Sequence, residues 1–153
     1  MAQVDLKKLK ALREETEVSF SLIKKALEET DNDIAKAKKK LQEWGAEKAS
    51  KVSGRTTSQG GIFTYVHHDR KSAGFVELQC ETDFVSGNEE FQSFGREVAM
   101  QIASANPKDI KALLDQEYIR DPSKTINDLL KEVVLKFGEN IQIGRILRWK
   151  LAE

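Results

Sequence analysis

Apolar residues recur every three to four positions through the first 45 residues, and every second position in several stretches after residue 62. The first spacing is that of amphipathic helices and the second that of half-buried strands. Three short helices are predicted at the start. Asp5 can cap the first, with Leu6, Leu9 and Leu12 inward; Ser19 can cap the second, with Leu22, Ile23, Ala26 and Leu27 as its stripe. Thr30 or Asp31 can cap the third, with Ile34, Ala37, Leu41 and Trp44 inward. Gly45 suits the left-handed position that ends a helix. Residues 46–61, AEKASKVSGRTTSQGG, contain one large apolar residue, Val52, and read as a linker whose first part continues as helix.

From Ile62 the period is two. Ile62–Val66 and Ala73–Cys80 read as an antiparallel hairpin around the polar turn HHDRKS, with Val76, Leu78 and Cys80 on one face. Asn88 can cap a helix carrying Phe91, Phe94, Val98, Ile102 and Ala105, which Asn106-Pro107 stops. A short helix follows at 108–115. Then come a turn and a helix bearing Ile126, Leu129, Leu130 and Val133, which Gly138 ends. In NIQIGRILRWKLAE, Ile141, Ile143, Leu147, Trp149 and Leu151 are expected on one face of a long third strand, interrupted by Arg145. The predicted class is α+β: a three-helix domain at 1–45, a linker at 46–61, and a 62–153 core of about three antiparallel strands packed with helices.

Composition narrows the functions. Lys plus Arg and Asp plus Glu each number 25, so the net charge is zero, against the basic excess of a general nucleic-acid binder. The single cysteine allows no intrachain disulfide and no cysteine-based metal site, which fits a reducing cytosol. MAQVDLKKLKAL lacks the apolar stretch of a signal peptide, and no apolar run approaches the ~18 residues of a membrane helix. A cytoplasmic protein without membrane or direct nucleic-acid contact is expected.

Cys80, His67, His68 and Asp83 supply the residue types of a thiol nucleophile and its base. Cys80, however, is in phase with Val76 and Leu78, so a structural cysteine is the better reading, and the histidine pair reads as a solvated turn. No phosphate loop or dinucleotide fingerprint occurs, so no cofactor is expected. Lys36, Lys38, Lys39 and Lys40 read as a solvated helix face, with a ribosome- or nucleic-acid-associated surface as the alternative. The oddity is ELQCETDFVSGNEEF, residues 77–91, where alternation fails and Phe84 and Val85 stand side by side before a Ser-Gly-Asn break. Phe84 is either a core aromatic or a protruding hot spot.

These segments, in this order, resemble the bacterial elongation factor Ts family, in its short form. LKALREET and KKALEETDNDIAKAKKKLQEWGAEKASK are similar to the family's N-terminal ubiquitin-associated-type helical domain. CETDFVSGNEEF is similar to its most specific signature, and IASANP, DPSKTINDLLKE and GENIQIGR to further family segments. The resemblance implies a non-catalytic exchange factor that promotes GDP release from the GTPase elongation factor Tu. It implies that Asp83 and Phe84, with Thr82 and Val85 completing the motif, reach the partner near its magnesium and nucleotide site. It also implies an N-terminal contact through Lys24, with Lys10 and Phe20 nearby. The sequence departs from the family at 16–21, where Thr-Glu-Val-Ser-Phe-Ser stands in place of Thr-Gly-Ala-Gly-Met-Met. Longer family members carry two similar halves; this chain has room for one, and a homodimer would complete it, with strand 141–151 as a dimer edge.

Overall fold

The computed structural model describes residues 3–153. Three helices come first: α1 (Leu6–Thr16), α2 (Phe20–Glu29) and α3 (Ile34–Val52). Their caps are short acceptors, as elementary capping chemistry requires. Asp5 accepts from the backbone of Lys7 and Lys8, Ser19 from Leu22, and Asp33 from Lys36. The third cap therefore falls two or three residues later than the sequence suggests. Leu12, Val18, Ile23, Ala26, Leu27, Ala37 and Leu41 form their common core. Leu6 lies outside it, largely exposed.

Gly45 does not end α3. It lies buried in mid-helix, and a Cβ there would sit 2.9 Å from the backbone carbonyl oxygen of Lys131. The glycine therefore permits close approach to α7 (Ile126–Phe137) rather than a turn. Beyond Gly45 the helix continues to Val52, which is buried in a second, larger core, with Ala49 packed against it. In the other direction Leu135 of α7 packs against the first core. Of the expected linker, only residues 53–58 lack helix or strand. Even these are tethered, since Thr57 bonds Gln79 and Arg55 pairs with Glu81.

The second core fills the space between helices and one face of an antiparallel sheet of order β1–β2–β5, formed by β1 (Gln59–Val66), β2 (Ser72–Cys80) and β5 (Gln142–Lys150). Val76, Leu78 and Cys80 face inward as the alternation requires. Against them lies α5 (Glu89–Ala105), which buries Phe91, Phe94, Val98 and Ile102. Gly74 lets helix and sheet meet: a Cβ there would stand 2.1 Å from the Ala99 carbonyl oxygen. The rest of the core helices are the one-turn α4 (Asp83–Ser86) and α6 (Ile110–Asp115). A small hairpin of β3 (Glu117–Tyr118) and β4 (Asp121–Thr125) precedes α7; its polar DPSKT strand carries no strand pattern and reads as turn in the sequence.

β5 departs from the expected single face. Glu77 pairs with Arg145 but Leu78 pairs with Ile143, so Gly144 is an extra residue and the pleat changes phase there. Ile141 and Ile143 therefore serve the core, as does Ile146 beyond the bulge. Leu147 and Trp149, with Arg145, point to the opposite face and are exposed.

Candidate partner-binding site

The TDFV segment begins where β2 leaves the sheet. Thr82 is extended, at φ −124° and ψ 154°, and its hydroxyl accepts the Val85 N–H at 3.3 Å, so it caps α4. The helix lasts one turn, because the Gly87 and Asn88 amides close it on the Asp83 and Val85 carbonyls. Asn88 then caps α5 by accepting from Glu90. The motif is thus held between two capped helix starts.

On this single turn one residue step separates the two bulky side chains. Phe84 is 80% exposed, more than any other large apolar side chain among the described residues whose exposure stands out. Val85 is 3% exposed and belongs to the main core. As a surface contact Val85 is therefore a correction to the sequence expectation: a residue step of about 100° around the helix carries it from solvent into the core. Thr82 and Asp83 are exposed beside Phe84.

The turn is gripped from the far end of the chain. Glu139 accepts the backbone N–H groups of Glu81 and Thr82 at 3.1 Å each, and the Thr82 hydroxyl at 2.7 Å. The Glu81 carboxylate accepts from the Asn140 N–H at 2.8 Å and pairs with Arg55 at 3.6 Å. The buried Asn140 amide donates to the Ser53 and Arg55 carbonyls. Glu139 and Asn140 stand in the GENIQIGR segment without any sign in the sequence of this role, because a contact across 57 residues leaves no periodic trace.

Cys80 is fully buried, and its Sγ donates to the Thr82 carbonyl at 3.2 Å. Burial, with the nearby Glu139 charge, pushes the thiol upward. The histidines lie at the opposite end of the hairpin: Cys80 pairs with Gln59, whereas the last rung before them is Val66–Ala73. Seven residues of strand place them about 23 Å apart. His67 bonds the Tyr65 hydroxyl at 3.0 Å instead. Among the described residues no cluster of three metal-ligating side chains occurs, and no helix is long and apolar enough to cross a membrane.

On the N-terminal helices Lys10, Phe20 and Lys24 are all exposed. Phe20 is 53% exposed and lies beneath the Arg13 guanidinium, 5.0 Å from its ring centre. Lys24 reaches only the edge of ion-pair range to Glu28, at 4.0 Å. The lysine run on α3 is partly neutralised: Lys38 pairs with Glu15 at 2.8 Å and Lys40 with Glu29 at 3.0 Å. The Glu29 bond and charge raise Lys40 above its ordinary range. A run so mixed with acids offers little phosphate-binding stripe.

Comparison with known proteins gives a consistent result. Residues 81–153 match the family described as Elongation factor TS. The Elongation factor Ts of Leptospira biflexa is 38% identical, over 97% of this chain and 98% of its own length. That of Nitratidesulfovibrio vulgaris is 37% identical, over 94% of both chains. That of Clostridium novyi is 43% identical over 93% of this chain but only 46% of its own length. The Leptospira alignment runs over 193 positions whereas this chain has 153, so that relative carries at least 40 residues with no counterpart here. Similarity of this extent, reaching from the helical N-terminus through the gripped TDFV turn, makes the chain a member of the elongation factor Ts family.

Proposed function

We propose that the protein is a translation elongation factor that binds elongation factor Tu carrying GDP and promotes GDP release, acting as an exchange factor and not as an enzyme. The observation that carries this is Phe84: a large aromatic held in solvent by a one-turn helix whose next residue is locked in the core. Leaving such a side chain in water forgoes about 2 kcal/mol of burial, a loss that contact with a partner recovers. An exchange factor need not touch the nucleotide. It has only to bind the nucleotide-free GTPase more tightly than the nucleotide-bound one, and the coupling is reciprocal.

In this reading Phe84 enters an apolar crevice of the GTPase domain and displaces the element that supports magnesium. Asp83 accepts hydrogen bonds at the rim or repels groups arranged around the metal, Thr82 fixes the turn, and Val85 anchors it from inside. The helical unit makes a second contact through Lys24, with Lys10 and the Arg13-supported Phe20 beside it. Two contacts on one chain raise each other's effective concentration.

The test is release of a fluorescent GDP from elongation factor Tu. Phe84→Ala should keep its melting temperature, since the ring is exposed, and should lower exchange efficiency roughly thirtyfold, the equivalent of a ~2 kcal/mol hot spot. An unfolded variant, or a wild-type protein that does not accelerate release, would sink the reading.

We further infer that a second copy of the chain covers the outer face of the sheet. Ile62, Val66, Leu147 and Trp149 are exposed there, with Leu151 just beyond, and Phe75 packs edge-on against Trp149 at 5.2 Å. The Glu77–Arg145 pair, at 2.7 Å, interrupts this face with opposite charges that a two-fold mate could match.

A further inference from the structure

Glu139 occupies the turn between α7 and β5, immediately after the left-handed Gly138 that closes α7. Both of its carboxylate oxygens are used on one other loop, the Glu81–Thr82 segment from which α4 springs. Hydrogen bonds from peptide N–H groups to a carboxylate are stronger than neutral ones. A carboxylate is also an acceptor only, so the Thr82 hydroxyl must spend its proton on Glu139 and is left with lone pairs for the Val85 N–H. Glu139 thereby sets the polarity of the cap as well as the path of the chain. The turn that carries it is fixed in its own right, because Asn140 bonds Glu81 and the carbonyls at the end of α3.

We propose that Glu139 is a positioning residue for nucleotide exchange: it orients α4, and so the direction in which Phe84 leaves the surface. This rests on the reading of Phe84 as the element that enters the GTPase. Without Glu139 the Glu81–Thr82 segment loses its three bonds while Val85 still anchors α4 in the core. Phe84 then spends less time in the direction the partner needs. When only a fraction of molecules is competent, the apparent dissociation constant rises by the inverse of that fraction, while the rate in the bound complex is kept. The loss therefore falls on half-saturation and spares the maximal rate; general destabilisation would shift half-saturation in the same way but would also lower amide protection throughout the core, not at the Glu81–Val85 turn alone.

The experiment compares Glu139→Ala, Glu139→Gln and Phe84→Ala by two measurements. The first is amide hydrogen exchange at Glu81, Thr82 and Val85 in the free protein. The second is GDP release from elongation factor Tu over a range of factor concentrations. Glu139→Ala should lose about tenfold protection at those amides. It should need about tenfold more factor for half-maximal release, with the saturated rate within about twofold. Glu139→Gln keeps one carbonyl acceptor for the Glu81 and Thr82 N–H groups but turns a donor toward the Thr82 hydroxyl, and should recover part of both losses. If Glu139→Ala does not fold, Glu139→Asp, which keeps the charge but shortens the reach, takes its place with the same expected losses. Unchanged amide protection and unchanged half-saturation would overturn the role of Glu139. Normal release by Phe84→Ala would instead overturn the entry of Phe84 into the partner, and the functional half of this proposal with it; the amide measurement, made without the partner, tells the two failures apart.

Discussion

Phe84 and Val85 are alike in hydrophobicity and adjacent in sequence, yet one is in water and the other in the core. The difference comes from the turn they sit on, since a strand ending in a capped helical turn swaps the two-residue alternation for steps of about 100°. The phase break at residue 84 is legible in the sequence, whereas the direction each residue takes is not. Cys80, two residues before the cap, is legible because it still obeys the strand period. Its chemistry can be checked directly. Burial and the Glu139 charge raise the folded thiol, so less thiolate exists at a given pH, and what exists is enclosed. At pH 8 the native protein should react with a disulfide reagent at least about a hundredfold more slowly than the denatured chain. Well below about pH 8.5 both folded and unfolded thiols are protonated and stability is unaffected. Above it the unfolded thiol ionises first, so stability should fall as pH rises. Rapid labelling of the native protein would restore a thiol-based activity as a contender.

At the scale of elements, caps and stripes are the readable features. Asp5, Ser19, Asn88 and Gly138 act where their chemistry places them. Two glycines mislead because glycine has several uses. Gly45 resembles a helix terminator but serves the α3–α7 approach, and Gly144 resembles an ordinary strand residue but is the bulge that reverses the face of β5. Both depend on a partner element distant in sequence, so no local window contains the information. The bond from Glu139 to Thr82 is hidden for the same reason. Running through both cores, α3 makes the division of the chain a question of energy. We propose that the core from Gln59 onward, with the end of α3, folds without the first helices, since Ala49 and Val52 stay with it when residues 1–45 are removed. That truncation uncovers Leu135 and deletes the Gly45–Lys131 contact. It should therefore remain cooperatively folded by circular dichroism but lose about 2–4 kcal/mol in urea titration, of the order of one or two large side chains uncovered. A truncated protein without a cooperative transition would mean that the two cores form one unit.

At the scale of the whole molecule, one sheet face carries no layer among the described residues, although a sheet buries its apolar side chains by packing against something. Helices cover the inner face through α5, while the outer face carries Ile62, Val66, Leu147 and Trp149 at 47–69% exposure. This face exists because of the bulge: without the extra residue at Gly144, Leu147 and Trp149 would fall on the same side as Ile143. We propose that a second copy covers the two large apolar residues that β5 turns outward after the bulge, and does so symmetrically. In such an interface each substitution counts twice. Trp149→Lys should cost about 2 kcal/mol per copy, thus about 4 kcal/mol and roughly a thousandfold in dimer dissociation. Sedimentation at micromolar concentration should then show a wild-type dimer and a Trp149→Lys monomer with the same circular dichroism, because the ring lies outside the core. A wild-type protein that sediments as a monomer at tens of micromolar would exclude this use of the face. If the monomeric variant still releases GDP at the wild-type rate per chain, Phe84 and the helical unit of one copy suffice, and the dimer serves stability rather than exchange.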